Sequence, residues 1–141
     1  MLLRRARLED LGEIYDVRQS ATENRLYESR EVFLEIARPI VVDRLCWVCE
    51  AQNRRIFGFG ASDTASGAID VLYVRPDMEG LGIGKGLLRK CCDDLLLRGH
   101  RIVWLTTGEG TRAEGFYRKL GWRSFPSKIP GEVLFRRSLL R

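Results

Sequence analysis

The junction between Ile69 and Arg98 constrains this chain more than any other feature, because an apolar segment passes there through closely spaced glycines into an amphipathic pattern. Ile69 to Val74 reads as a strand and Arg75 to Lys85 as a glycine-rich loop. A helix then runs to about Arg98, with Leu87, Leu88, Cys91, Cys92, Leu95 and Leu96 on one stripe and Gly99 as its stop. In such a junction the loop's backbone N–H groups can point at an anion beside the helix N-terminus. Glycine is needed where an anion must reach the amides with no Cβ between them. Spacing excludes two familiar phosphate motifs. A Walker A reading places Glu79 at the first glycine and Gly86 at the magnesium-binding hydroxyl. A dinucleotide reading ends on Lys85 or Leu87 instead of the third glycine.

The rest of the chain supplies the elements around that junction. Leu3 to Arg7 reads as a strand, and Leu11, Ile14, Tyr15 and Arg18 recur at helical spacing after Glu9 and Asp10. Ser29 to Arg38 is expected as a second helix, with Val32, Phe33 and Ile36 on one side and Pro39 just past its end. Leu45 to Ala51 and Ile56 to Ser62 read as strands about a turn at 52–55. Arg101 to Thr106 is a further strand, and Thr111 to Leu120 a short helix with Ala113, Phe116, Tyr117 and Leu120 inward. Trp122 to Phe125 and Val133 to Leu139 close the chain as strands. The order predicts an α/β fold, a mixed and mainly antiparallel sheet flanked by helices, in a single domain over residues 1–141.

Composition narrows the ligand. The net charge of +5, from 24 basic and 19 acidic residues, is spread along the chain without interleaved aromatic platforms. A solvated basic surface accounts for it, a phosphate-bearing small molecule fits equally well, and no nucleic-acid partner is expected. No apolar run approaches the roughly 18 residues of a membrane span, and Met1 to Arg5 lacks the long apolar stretch of a signal peptide. No membrane partner and a cytoplasmic location are therefore expected. Cys46 and Cys49 lie three apart on a strand and so point to opposite faces, Cys91 and Cys92 sit on a helix stripe, and His100 is alone. No metal is expected, and the cysteines read as small buried apolar residues.

Two blocks carry a resemblance. Val74-Arg75-Pro76, followed by Glu79-Gly80-Leu81-Gly82-Ile83-Gly84, matches a Val-x-Pro turn and a Gln/Arg-x-x-Gly-x-Gly/Ala loop, with Glu79 departing from the usual residue. Leu105 to Trp122 matches a strand, loop and helix ending in Ala-x-x-Phe-Tyr-x-x-x-Gly-Phe/Trp, with Gly110 where Asn is common. Together they resemble the GNAT superfamily, the Gcn5-related N-acetyltransferases, over nearly the whole chain. The resemblance implies a GNAT-like (acyl-CoA N-acyltransferase) fold and an N-acetyltransferase that moves an acetyl group from acetyl-CoA to a primary amine by direct attack in a ternary complex.

That likeness also implies roles. Acetyl-CoA, the cosubstrate, would lie against Leu72, Val74, Gly80, Leu81, Gly82, Ile83, Gly84, Lys85, Gly110, Ala113 and Tyr117. The Leu72 N–H would bond the thioester carbonyl, Val74 would pair with the pantetheine arm, and the loop amides would take the pyrophosphate. Lys85 either adds charge near the phosphate or is a solvated first-turn lysine. Tyr117 matches the family's general acid, although the helix pattern also permits a core tyrosine. Many relatives carry a base Glu where this chain has Ala68; Asp70 and a water relay are the alternatives here. Glu23, Asn24, Arg25 and Tyr27 are expected near the acceptor, a small-molecule or protein amine. Members are often dimers, and the closing strands could pair across an interface. The competing reading is a catalytically inactive acyl-CoA-binding sensor or regulatory module.

Overall fold

The apolar segments pair into one sheet because most of its strands carry buried residues, and helices pack on both of its faces. This computed structural model describes residues 1–21 and 29–139. Their strands are β1 (Leu2–Arg5), β2 (Cys46–Glu50), β3 (Ile56–Asp63), β4 (Ala68–Val74), β5 (Ile102–Gly108), β6 (Arg123–Pro126) and β7 (Glu132–Ser138), in the spatial order β1-β2-β3-β4-β5-β7-β6. All neighbours are antiparallel except β4 and β5. The helices are α1 (Leu11–Ala21), α2 (Arg30–Val42), α3 (Ile83–Leu97) and α4 (Arg112–Lys119).

Each layer buries its own core. Leu11, Ile14 and Val17 of α1 and Phe33 and Val41 of α2 pack on Val48, Phe59, Ala61 and Tyr73. On the other face Leu88, Cys91 and Leu95 of α3 and Tyr117 of α4 pack on Ile69, Val103, Leu105 and Phe135. Cys46 and Cys49 fall in cores on different faces, as the spacing predicts. All four thiols are free; burial, with Asp10 nearby, pushes Cys46 up to about 12, so it is neutral packing material.

Polar ties fix β1. Arg4 hydrogen-bonds Glu50 and reaches both Asp10 oxygens, at 2.8 and 3.0 Å. Arg5 forks onto Asp94 of α3 at 2.5 and 2.8 Å, and the Trp47 indole N–H donates to the same carboxylate at 2.9 Å.

Three expectations change. Pro39 lies inside α2, which continues to Val42. The lost N–H falls on the exposed side, at Glu35 and Pro39, where water can serve the freed carbonyl. The longer helix buries a different stripe: Phe33, Leu34, Ala37, Ile40 and Val41 turn to the core, leaving Val32 and Ile36 exposed. Leu96 and Ala113 are exposed too, because α3 turns Leu88, Cys91 and Leu95 inward and α4 packs through Phe116, Tyr117 and Leu120.

Candidate active site

β4 and β5 start side by side and then part. Their register has one rung, Ala68 to Trp104. β3 holds the other edge of β4 throughout, with Leu72 opposite Gly60 and Val74 opposite Gly58. Leu72 and Val74 are thus half-buried on a strand whose second edge has no ladder partner. A strand edge of this kind offers N–H and C=O groups to an extended ligand.

A bulge sits just before that edge. Ala61 faces Val71 and Ser62 faces Ile69, so Asp70 is passed over in the pairing. The extra residue puts Ile69 and Leu72, three apart, into cores on the α3 and α4 face, and Asp70 is exposed. Partial desolvation, with the charge of Asp63 added, raises the Asp70 carboxyl above its ordinary range. Ala68, where a carboxylate is common in the resembling family, is buried.

The glycine loop closes one end of the gap. Gly80 and Gly82 hold φ near +81°, a conformation costly for any residue with a Cβ. Nothing lies within 4 Å of where those Cβ atoms would sit. Gly82 is the N-cap of α3 and offers no side-chain cap, and the first turn carries no acidic residue. The N–H groups of Ile83, Gly84 and Lys85 begin the helix uncapped by a side chain. A Cβ on Gly84 would stand 3.4 Å from Phe116 and 3.7 Å from Val74, so the α3 terminus bridges the end of β4 and α4. Lys85 is exposed. These features fit a polyanion with an extended arm: amides without a side-chain cap, a positive dipole, no acidic residue in the first helical turn and an open strand edge.

α4 supplies the other wall. Thr111 caps it, accepting from the Glu114 N–H at 3.4 Å and donating to the Gly108 carbonyl at 2.7 Å. Gly110 precedes the cap with φ +78°. Tyr117 is 4% exposed, its ring among Phe116, Trp122 and Phe135 at centroid distances of 5.1–5.6 Å. Burial first, then the neighbouring Cys91, Cys92 and Tyr73, pushes its phenol well above the ordinary range, so it stays protonated at neutral pH.

One residue escaped the sequence reading. Arg112 donates to the Glu79 carboxylate at 3.0 Å and ties the glycine loop to α4. The signal was present as opposite charges at the edges of the two motif blocks, but no local pattern says that those blocks meet. Glu23, Asn24, Arg25 and Tyr27 lie outside the described residues.

Comparison with known proteins turns this geometry into an assignment. Residues 43–124 match the family described as acetyltransferase (GNAT) domain. The chain belongs to the GNAT acetyltransferase family. It is 32% identical over 99 residues to GCN5-related N-acetyltransferase 1, chloroplastic, of Arabidopsis thaliana, across 67% of this chain and 49% of that protein. It is 35% identical over 86 residues to the uncharacterized N-acetyltransferase MJ1207 of Methanocaldococcus jannaschii, across 54% of this chain and 38% of that one. The chain thus spans about half or less of the curated relatives it matches. The PaiA N-acetyltransferase of Thermoplasma acidophilum, a structure in complex with coenzyme A, shares the GNAT fold at a TM-score of 0.81 and 16% identity, covering 97% of this chain and 98% of that one. No helix among the described residues is long and apolar enough to cross a membrane.

Proposed function

We propose that this GNAT domain transfers an acetyl group from acetyl-CoA to a primary amine by direct attack in a ternary complex. The observation that carries the reading is the parting of β4 from β5 beyond Ala68 and Trp104, beside a helix N-terminus without a side-chain cap. The amides of Gly80 to Lys85 bind the pyrophosphate, with Leu81 and Ile83 supplying loop backbone between the glycines. Val74 pairs with the pantetheine arm as a neighbouring strand would, and Gly110 and Ala113 line its other side.

In the reaction the amine nitrogen attacks the thioester carbonyl carbon, and the carbon–sulfur bond breaks. The Leu72 N–H hydrogen-bonds the carbonyl oxygen and gains strength as that oxygen becomes an oxyanion. Tyr117 donates its O–H to the departing sulfur. The burial that keeps this phenol protonated also makes it a weak acid, so the hydrogen bond to the thiolate carries the stabilisation. The attacking amine loses its proton to Asp70, whose raised pKa suits a base better than an ordinary aspartate would.

Thermal unfolding with acetyl-CoA, CoA, ATP and NAD in parallel tests the reading. A ligand at 100 times its dissociation constant stabilises by about 2.7 kcal/mol, a shift of several degrees for a chain this size. Stabilisation by acetyl-CoA and CoA alone is expected; no shift with either overturns the proposal.

A further inference from the structure

α1 and α2 pack over β2, β3 and β4, and the same sheet face continues past them across β5, β7 and β6. Val103, Leu105 and Phe135 point into the core beneath α3 and α4. Strand alternation therefore turns Ile102 and Trp104 of β5, and Leu134 and Arg136 of β7, to the opposite face. Arg123 and Phe125 of β6 stand directly across from Arg136 and Leu134. On that face Ile102 is 46% and Trp104 36% exposed, and both arginines are exposed.

The arginines are unusually placed. Arg123 and Arg136 are direct cross-strand partners, where like charges disfavour pairing. Both guanidinium groups lie over the Phe125 ring, at 6.0 and 5.6 Å. Neither forms an ion pair among the described residues. Two exposed cations held side by side on an aromatic ring, with no carboxylate paired to them among the described residues, form a site complementary to an anion.

We propose that Arg123 and Arg136 dock an acidic segment of a polypeptide acceptor whose amine enters the gap between β4 and β5. The inference rests on the acetyltransferase reading and names the acceptor class for it. Register sets the distance: Ala68 pairs with Trp104, Trp104 with Arg136, and Arg136 with Arg123, one continuous row leading away from the gap. At about 4.8 Å per strand, the two arginines stand roughly 10 and 14 Å from β4. The amine reacts beside Leu72, four residues and about 13 Å along β4 from that row, so the arginines lie roughly 16 and 19 Å from it. At about 3.3 Å per residue, the recognised carboxylate lies five to six residues from the acetylated amine. The cofactor loop and Tyr117 belong to the α3 and α4 layer, which leaves the part of the opposite face over β5, β7 and β6, beside α1 and α2, for the acceptor's approach. That face sets the exposed Ile102 and Trp104 and the half-buried Phe125 beside the two arginines, which suits a peptide. A second copy of this chain would instead bring four arginines together.

The test uses ten-residue peptides with a free amino terminus, carrying Asp at the sixth and seventh positions, and matched peptides with Asn there. Binding to the whole protein is read by anisotropy with CoA present. The Asp peptide is expected to bind about tenfold more tightly, a preference lost in Arg123→Gln/Arg136→Gln. In turnover the double variant should raise KM for the Asp peptide while kcat is kept. Equal affinities, no binding of either peptide, or a preference that survives the double substitution overturns the proposal. So does a wild-type dimer that the double variant splits, since a second copy would then occupy the face. Failure here with the CoA-induced thermal shift intact sinks the acceptor assignment alone; loss of that shift sinks the acetyltransferase reading beneath it.

Discussion

Ala68 pairs with Trp104, and beyond that rung β4 and β5 have no further register. Each strand remains held on its other edge, β4 by β3 and β5 by β7 along its whole length from Ile102 to Gly108. The gap is therefore bounded by two firmly paired strands, and the following predictions concern the residues around it.

Gly82, which caps α3 with a left-handed φ, is a loop position sensitive to substitution. A Cβ meets open space but must adopt φ +81°, so Gly82→Ala costs about 1 kcal/mol of stability. Relaxation of that strain turns the amides of Ile83 and Gly84 away from their common target. Acetyl-CoA affinity is expected to fall at least tenfold, measured as the ligand concentration needed for a given thermal shift. An unchanged affinity would remove the loop from the cofactor site.

Tyr117→Phe keeps the ring that packs against Trp122 and Phe135 and removes only the hydroxyl. Thiol release should slow by about 10²- to 10⁴-fold while the acetyl-CoA thermal shift persists. A wild-type protein that binds acetyl-CoA but releases no thiol with any amine would favour the sensor reading instead.

Asp70→Asn tests the proton acceptor. With the carboxylate gone, turnover at neutral pH should drop by at least tenfold, and the acid limb of the wild-type rate profile should disappear with it. That limb should sit above the ordinary aspartate range, because desolvation and Asp63 raise the group. Unaltered rates across pH would assign proton removal to water.

Stability should weaken at both ends of the pH scale, for different residues. Burial alone would lift the Asp10 carboxyl, but hydrogen bonds from Arg4 and the Arg7 amide outweigh it and hold the group low. A depressed folded pKa gives stability that is present above about pH 4 and lost as pH falls. Asp10→Asn should flatten that acid limb and lower the midpoint of urea unfolding at pH 7. Tyr117 works oppositely: its raised folded pKa leaves stability intact below about pH 10, and this drains away as the unfolded phenol ionises above it. Tyr117→Phe should lessen the alkaline loss.

Much of this protein was legible in the residues themselves. Stripes such as Leu88, Cys91 and Leu95, and alternation such as Val103 and Leu105, are written at the periods of helix and strand, so the order of elements could be read directly. The glycine loop was legible for a similar reason, since left-handed φ at Gly80 and Gly82 is a local demand with a local solution. Even so, α2 ran through Pro39 to Val42, because burial of Ile40 and Val41 outweighed one lost hydrogen bond on an exposed side. The bulge at Asp70, the parting at Ala68 and Trp104, the Glu79–Arg112 tie and the Arg123–Arg136 pair were decided only by the tertiary structure. Each depends on register between segments far apart in the chain, and register is set by how whole strands and helices pack together, which no short window of sequence contains.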